Sequence, residues 1–472
     1  MNREYHANRI LTAMLICAFM GMFSETSLNI ALTTLMNDFR ISAATAQWLT
    51  TGYLLTLGII MPFTALLIQR YTTRRLFFVS TTSLTLGTIV GGMSVNFSML
   101  LIARILQAIG MGILLPLMSN TILVIFAKEK RGTAMGTLGL VLSFAPAMGP
   151  AISGILIQYM SWHFIFWLLL PFILLGMFIG YRNLINVTEN HQQKIDFLSV
   201  ISSTLGFGGI VFGLSQTEES LLSPIVIVPI IIGIISLAFF IKRQNTENPI
   251  LDLSVFKYPI FVTGSILVLI CVLIFQGTMI ILPMYLQTGA GLTVLLAGLV
   301  LLPGSATNGI LQMLGGKIFD KYGYKILVIP GFIIMLVTLF FLKTLTPNSS
   351  IILIMILDMT LMAGTAIVWT GAQTHALNQL PPKLYAHGSA TLNTMLQVIG
   401  AIGVSISVAV LSSTKSNYLA SSQHPNSINE ISSAIASGAG NVFGGLMIIA
   451  IIGLLISFWM ILRDKKQELT EI

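Results

Sequence analysis

Hydrophobic runs separated by short polar breaks fill this chain from end to end. Each run is long enough for a helix to cross a hydrocarbon core of ~30 Å, which takes ~20 residues. The pattern predicts fourteen helices, at 10–36, 43–69, 75–95, 98–127, 131–158, 162–182, 197–217, 223–243, 259–286, 293–318, 325–344, 350–378, 385–413 and 439–463. The first run, Leu11 to Met36, carries one acidic residue at its middle, Glu25, with Asn29 one turn on. A carboxylate at that depth costs a few kcal/mol, so such a group usually faces a polar cavity and has a function.

The basic residues fix an orientation. With both termini cytoplasmic, twenty Lys and Arg fall in the termini and the loops on that side. Arg40, Lys343 and Lys415 fall opposite, and Arg104 lies within a span. This is the asymmetry of the positive-inside rule. Composition agrees: 55% of the 472 residues are hydrophobic and 8% charged, against about 25% charged in soluble domains. The reading is an all-α polytopic membrane protein. The net charge of +8 is spread over many short loops, which argues against a nucleic-acid partner. Cys17 and Cys271 each sit inside a predicted span, so neither a disulfide nor a thiolate metal site is expected. The first helix reads as retained, not as a removable signal. The segment from Ser412 to Gly438 reads as an outside loop, either with little structure or with a short amphipathic helix in its second part.

Two loops repeat at a distance. Gly316-Lys317-Ile318-Phe319-Asp320-Lys321-Tyr322-Gly323-Tyr324-Lys325 follows the tenth span. Ala65 to Arg75 follows the second, keeping the basic spacing but lacking the glycines and the acid, with Gln69 near that place. Repeated halves around a midplane site mark secondary transporters. The Asp320 loop resembles the signature loop of the major facilitator superfamily. Arg104-Ile105-Leu106-Gln107-Ala108-Ile109-Gly110-Met111-Gly112 resembles its fourth-helix R-x-x-Q-G-x-G element. Gly149-Pro150-Ala151-Ile152-Ser153-Gly154 is similar to the fifth-helix element typical of antiporters, and Trp162 to Phe166 with Pro171 to the start of the sixth. With fourteen spans the chain resembles the drug:proton antiporter branch. That implies a major facilitator fold: a six-helix bundle at 1–190, an inserted pair at 191–250 and a second bundle at 251–472. Glu25-Thr26-Ser27-Leu28-Asn29-Ile30-Ala31-Leu32 departs from the branch's first-helix D-x-T-x-x-N element in spacing and in its acid.

Glu25, Arg104 and Asp358 are the ionisable residues well inside spans. The resemblance places all three on helices that line a central cavity, roughly 17, 9 and 12 Å from the outer ends. Burial favours the protonated form of a carboxylate and a nearby cation opposes it. Proton and cationic cargo therefore compete for one group. A structural reading also stands: Arg104 as a hub to backbone carbonyls, and Asp358 as a paired carboxylate. His375 and His387, at the cytoplasmic ends of their spans, read as interfacial.

Helical spacing puts Met22 and Asn29 beside Glu25, Gln107 beside Arg104, and Met362 and Trp369 on the face of Asp358. Phe275, Gln276 and Met279 form a polar-aromatic set in the ninth span. Methionines and rings around a carboxylate suit bulky hydrophobic cations, although such residues also simply pack helices. Gly149, Pro150, Gly154, Gly316, Asp320 and Gly323 are the candidate gating positions. The implied function is proton-coupled export of amphipathic, often cationic drugs and dyes across the cytoplasmic membrane by alternating access, by a monomer that needs no cofactor beyond the proton gradient. The alternative is export of an endogenous lipid or metabolite by the same fold. No catalytic cluster, metal-ligand set or phosphate loop is present in the pattern, so an enzyme is not expected.

Overall fold

The computed structural model describes residues 7–186, 196–215, 223–244, 249–422 and 424–470. The N-terminal part of the chain forms α1 (Ala7–Phe39), α2 (Ala43–Arg70), α3 (Thr73–Gly92), α4 (Phe97–Ile125), α5 (Arg131–Tyr159) and α6 (His163–Asn183). A pair follows, α7 (Phe197–Ser215) and α8 (Pro224–Arg243). The C-terminal part forms α9 (Pro259–Met284), α10 (Val294–Tyr322), α11 (Lys325–Lys343), α12 (Ile351–Asn378), α13 (Tyr385–Ala420) and α14 (Ile428–Thr470). No strand occurs among the described residues. Arg3, Lys194, the boundary at 190/191 and the end of the seventh run at 217 lie outside them. So do the side chains of Asn29, Pro150, Arg463, Lys465 and Lys466.

Among the described residues fourteen α-helices follow the fourteen hydrophobic runs, and twelve are long and apolar enough to cross a membrane. The other two are α7, whose apolar stretch is shorter, and α3, which is rich in hydroxyls. In α3 four of those hydroxyls return to its own backbone. Ser80 and Thr81 donate to the Phe77 carbonyl, Thr85 to that of Thr81 and Thr88 to that of Leu84, at 2.7–2.9 Å. A hydroxyl satisfied in this way is tolerated away from water. Several first turns are capped from the sequence position before them. Ser42, Thr72, Asn96 and Thr293 each accept from the amide three residues on.

The expected outside loop at 412–438 is mostly helix. α13 continues to Ala420 and α14 begins at Ile428, where Ser427 Oγ accepts from the Glu430 amide. The cause is burial: Ala434, Ile435, Ala436 and Ala439 are all covered, so the segment expected to form a separate surface helix is the first part of α14.

The packing repeats. α1 lies against α5 and α6, α4 against α2 and α3, and α3 against α6. Eight helices later, α9 lies against α13 and α14, α12 against α10 and α11, and α11 against α14. α7 packs on α2 and α13, with Phe212 5.6 Å from Trp48 and the Leu214 carbonyl accepting from Ser405 Oγ at 2.8 Å. α8 covers α7 on its far side. The base of the pair is tied by Asp196 and Arg243 at 2.9 Å.

The Ser199 hydroxyl, followed by Arg243, holds the Asp196 carboxyl below the usual carboxylate range. Because the folded state prefers the charged form, this contribution is complete above the ordinary aspartate value of about 3.9 and vanishes as pH falls through the lowered one. Both side chains are about one-third exposed, so Asp196→Asn should cost no more than ~1 kcal/mol at neutral pH. Thermal unfolding of the two proteins should converge at strongly acidic pH.

Candidate functional site

Arg104 sits two turns into α4 and is fully buried. Its guanidinium donates to the carbonyl oxygens of Ser24 at 3.0 Å, Glu25 at 3.3 Å and Leu49 at 3.3 Å. It also donates to Ser24 Oγ and to Gln107 Oε1, and its Cζ lies 4.2 Å from the centre of the Tyr53 ring. Gln107, also fully buried, donates to Thr88 Oγ1 and accepts from Ser24 Oγ, both at 3.1 Å. Two side chains of one helix thus join α1, α2, α3 and α4. A buried cation is tolerable only when its N–H groups are matched, and the planar fork of arginine does this with acceptors on two helices and on its own.

Glu25 is held differently. Arg104 takes its backbone carbonyl, not its carboxylate, and the one ion pair among the described residues is Asp196–Arg243. Glu25 Oε2 is shut away from solvent with no hydrogen-bond partner. The next residue, Thr26, donates to the Pro146 carbonyl of α5 at 3.1 Å. Gly149 permits this close approach, since a Cβ there would lie 3.1 Å from both the Phe23 carbonyl and Ser27 Oγ. Gly154 has open space around it and is not a packing glycine.

Asp358 on α12 is 3% exposed. Its carboxylate rests against Gly304 of α10, where any larger side chain would overlap it, and it has no hydrogen bond or ion pair among the described residues. One turn further, Met362 is buried and its carbonyl accepts from Asn308 Nδ2 at 2.8 Å. Asn308 belongs to a buried triangle that crosses from one half to the other. Ser143 Oγ of α5 donates to Asn308 Oδ1 at 2.6 Å, and Gln312 Nε2 donates to both, at 2.6 and 2.7 Å. Of the proposed cargo-contacting residues, Met22, Phe275, Gln276, Met279 and Trp369 keep some exposure. Phe275 meets Trp369 edge to face at 6.3 Å, while Gln107 and Met362 are enclosed.

The two halves are joined most firmly at the face that carries the basic loops. Asp320 accepts from the Gly132 amide at 2.7 Å, the Thr133 amide at 2.8 Å and Thr133 Oγ1 at 2.6 Å. These amides belong to the first turn of α5, which has no partners within its own helix and carries the positive end of its dipole. Gly316 meets the Gly132 backbone directly, and Gly323, with φ of +78°, ends α10 behind the aspartate. Beside them Arg131 donates to Asn378 Oδ1 at 3.0 Å and Tyr385 OH at 3.1 Å. The repeat-related junction is neutral: Gln69 hydrogen-bonds His387 Nε2, and His387 Nδ1 accepts from the Asp252 amide at 2.9 Å. His387 is buried at this junction, in the first turn of α13.

The sequence profile of the Major Facilitator Superfamily matches residues 14–404. This chain belongs to that superfamily. It is 48% identical to the lincomycin resistance protein LmrB of Bacillus subtilis, over 97% of each chain, and 48% identical to that of Listeria monocytogenes, over 96% of each. The crystal structure of the human organic anion transporter MFSD10 (TETRAN) superposes with a TM-score of 0.67 at 11% identity, covering 95% of this chain and all of that one. As a superfamily member it is a multi-pass membrane transporter of small molecules and not an enzyme.

Sequence reasoning did not find Ser24, Tyr53, Ser143, Asn308 or Gln312. A signal existed for two of them, since Asn308 and Gln312 stand one turn apart in an otherwise apolar span. Two outcomes follow from the geometry. Arg104→Lys should lower the thermal stability of the purified transporter by about 1–3 kcal/mol, because a point charge cannot reach carbonyls on two helices at once. Asp320→Asn should weaken the α5–α10 junction by about 1–2 kcal/mol, the worth of a charged acceptor at a helix start. A cysteine placed at Thr137 should then react several-fold faster with a membrane-impermeant thiol reagent added at the basic face.

Proposed function

We propose that this transporter exports amphipathic, often cationic drugs and dyes across the cytoplasmic membrane in exchange for protons, with its basic face and both termini in the cytoplasm. The observation that carries the reading is the pair of intramembrane carboxylates, one in each half, that helix packing leaves without partners: Glu25 Oε2 has no hydrogen bond, and Asp358 has neither hydrogen bond nor ion pair. A carboxylate in that condition can hold a proton or a cation, but not both at once. Loading cationic cargo then expels the proton, and reloading the proton expels the cargo.

The closed junctions at the basic face support an arrangement shut toward the cytoplasm. Asp320, Arg131 and the Gln69–His387 contact bar the cytoplasmic side. In that state a proton entering from outside neutralises the carboxylate and releases the cation outward. Breaking the same junctions turns the site inward, where the proton leaves and the next cation binds. Met22, Phe275, Gln276, Met279 and Trp369 supply pliable and aromatic surface for the apolar part of the cargo. The 48% identity to proteins named for lincomycin resistance makes lincomycin the first cargo to test.

In everted membrane vesicles, an imposed pH gradient should drive accumulation of lincomycin and of a cationic dye, and an uncoupler should abolish it. Glu25→Gln and Asp358→Asn should each reduce this uptake to background at unchanged protein level. Full uptake in both variants would refute the exchange.

A further inference from the structure

The loop between α2 and α3 is the degraded copy of the Asp320 loop, and what replaced the lost motif is informative. Its acid is gone, leaving Arg70, Arg74 and Arg75 in six residues with no acidic neighbour in the loop. None of the three has an ion pair among the described residues. Arg70 and Arg75 place their guanidinium carbons 5.8 and 5.0 Å from the centre of the same ring, Tyr71, so two unneutralised cations flank one aromatic. Arg74 lies over Tyr181 at 5.3 Å and donates to its carbonyl at 3.2 Å. Tyrosines beside arginines are the usual furniture of a headgroup layer.

Directly beneath Arg75 a groove of about 560 Å³ runs along one face of α3 and is closed on one side by Leu106 of α4. Phe78, Val79, Thr82 and Leu86 line it, and Val79 and Leu86 are each about half exposed, as expected of positions facing lipid. The hydroxyl of Ser83 is engaged by the Leu106 carbonyl, which leaves the walls nearly apolar. From Arg75 to Leu86 the groove extends roughly 16 Å. That matches one leaflet, half of a hydrocarbon core of ~30 Å.

We propose that this groove is a binding site for an anionic glycerophospholipid of the leaflet at the basic face, with one acyl chain along α3 and the phosphate between Arg70 and Arg75. Charge complementarity selects the occupant. A zwitterionic lipid would fill the apolar part equally well but would leave the arginine pair without a counter-charge, and basic pockets between helices at this level favour anionic headgroups. The site backs onto the α3–α4 contact through which Gln107 reaches Thr88, so its occupant braces the wall behind Arg104.

The test uses the purified full-length protein in detergent, with native mass spectrometry and thermal unfolding as readouts. Phosphatidylglycerol, phosphatidylcholine of the same acyl chains, and soluble glycerol phosphate are compared. Phosphatidylglycerol should be retained in preference to phosphatidylcholine and should raise the unfolding temperature, and glycerol phosphate should do neither. Arg70→Gln and Arg75→Gln should each weaken the preference roughly fivefold, about what one basic residue contributes at an anionic surface. Val79→Trp, which fills the groove but spares the arginines, should abolish retention. Equal retention of the two lipids, an unchanged preference in the arginine variants, or competition by glycerol phosphate as strong as by the lipid would each overturn the proposal.

Discussion

In a hydrocarbon solvent each polar group must find its partner inside the protein, and the way Arg104 does so organises the rest of this structure. Its guanidinium is spent on the main chain of α1 and α2 and on Gln107. That choice fixes the N-terminal half at the depth of Glu25, and it keeps the cation bound to carbonyls instead of to the neighbouring carboxylate. No ion pair forms between Arg104 and Glu25, so the acid is left outside the hydrogen bonds of the hub.

The same economy recurs in the other half with different means. Asp358 faces a glycine, not a donor, and the turn that follows it is anchored by Asn308. Asn308 and Gln312 then reach across to Ser143, which places a hydrogen-bonded crossing between the halves about 16 Å along α5 from the junction at Asp320. Glycines on both helices make the contact between α5 and α10 a backbone-to-backbone one at Gly132 and Gly316. A seam built from small residues and a few directed hydrogen bonds can be opened as a unit, whereas interlocked large side chains would resist it.

Much of this was legible in the sequence. Fourteen apolar runs became fourteen helices, and the basic residues marked the face at which the halves meet. The Asp320 loop and the glycines around it stood out because their spacing is local. What was not legible is the direction each side chain takes across helices distant in sequence. Gln107 shares a face with Arg104 and was expected to meet cargo, yet it is consumed by Thr88 and Ser24. Tyr53 lies under the guanidinium, but nothing in its own span sets it apart from other tyrosines. Likewise a polar-looking segment before Gly438 left loop and a short surface helix equally open, and gave no sign that Ile435 and its alanine neighbours would be covered as the first part of α14. Helical period reports which residues share a face, not which helix that face will meet.

In the proposed exchange a proton resides on partnerless carboxylates and cargo displaces it. Adding lincomycin or a cationic dye to the purified transporter in weakly buffered detergent, with a pH indicator present, tests this exchange most directly. Proton release should saturate with cargo binding and disappear when Glu25 and Asp358 are both replaced by their amides. Cargo binding with no proton release, or release unchanged in the double amide variant, would contradict it.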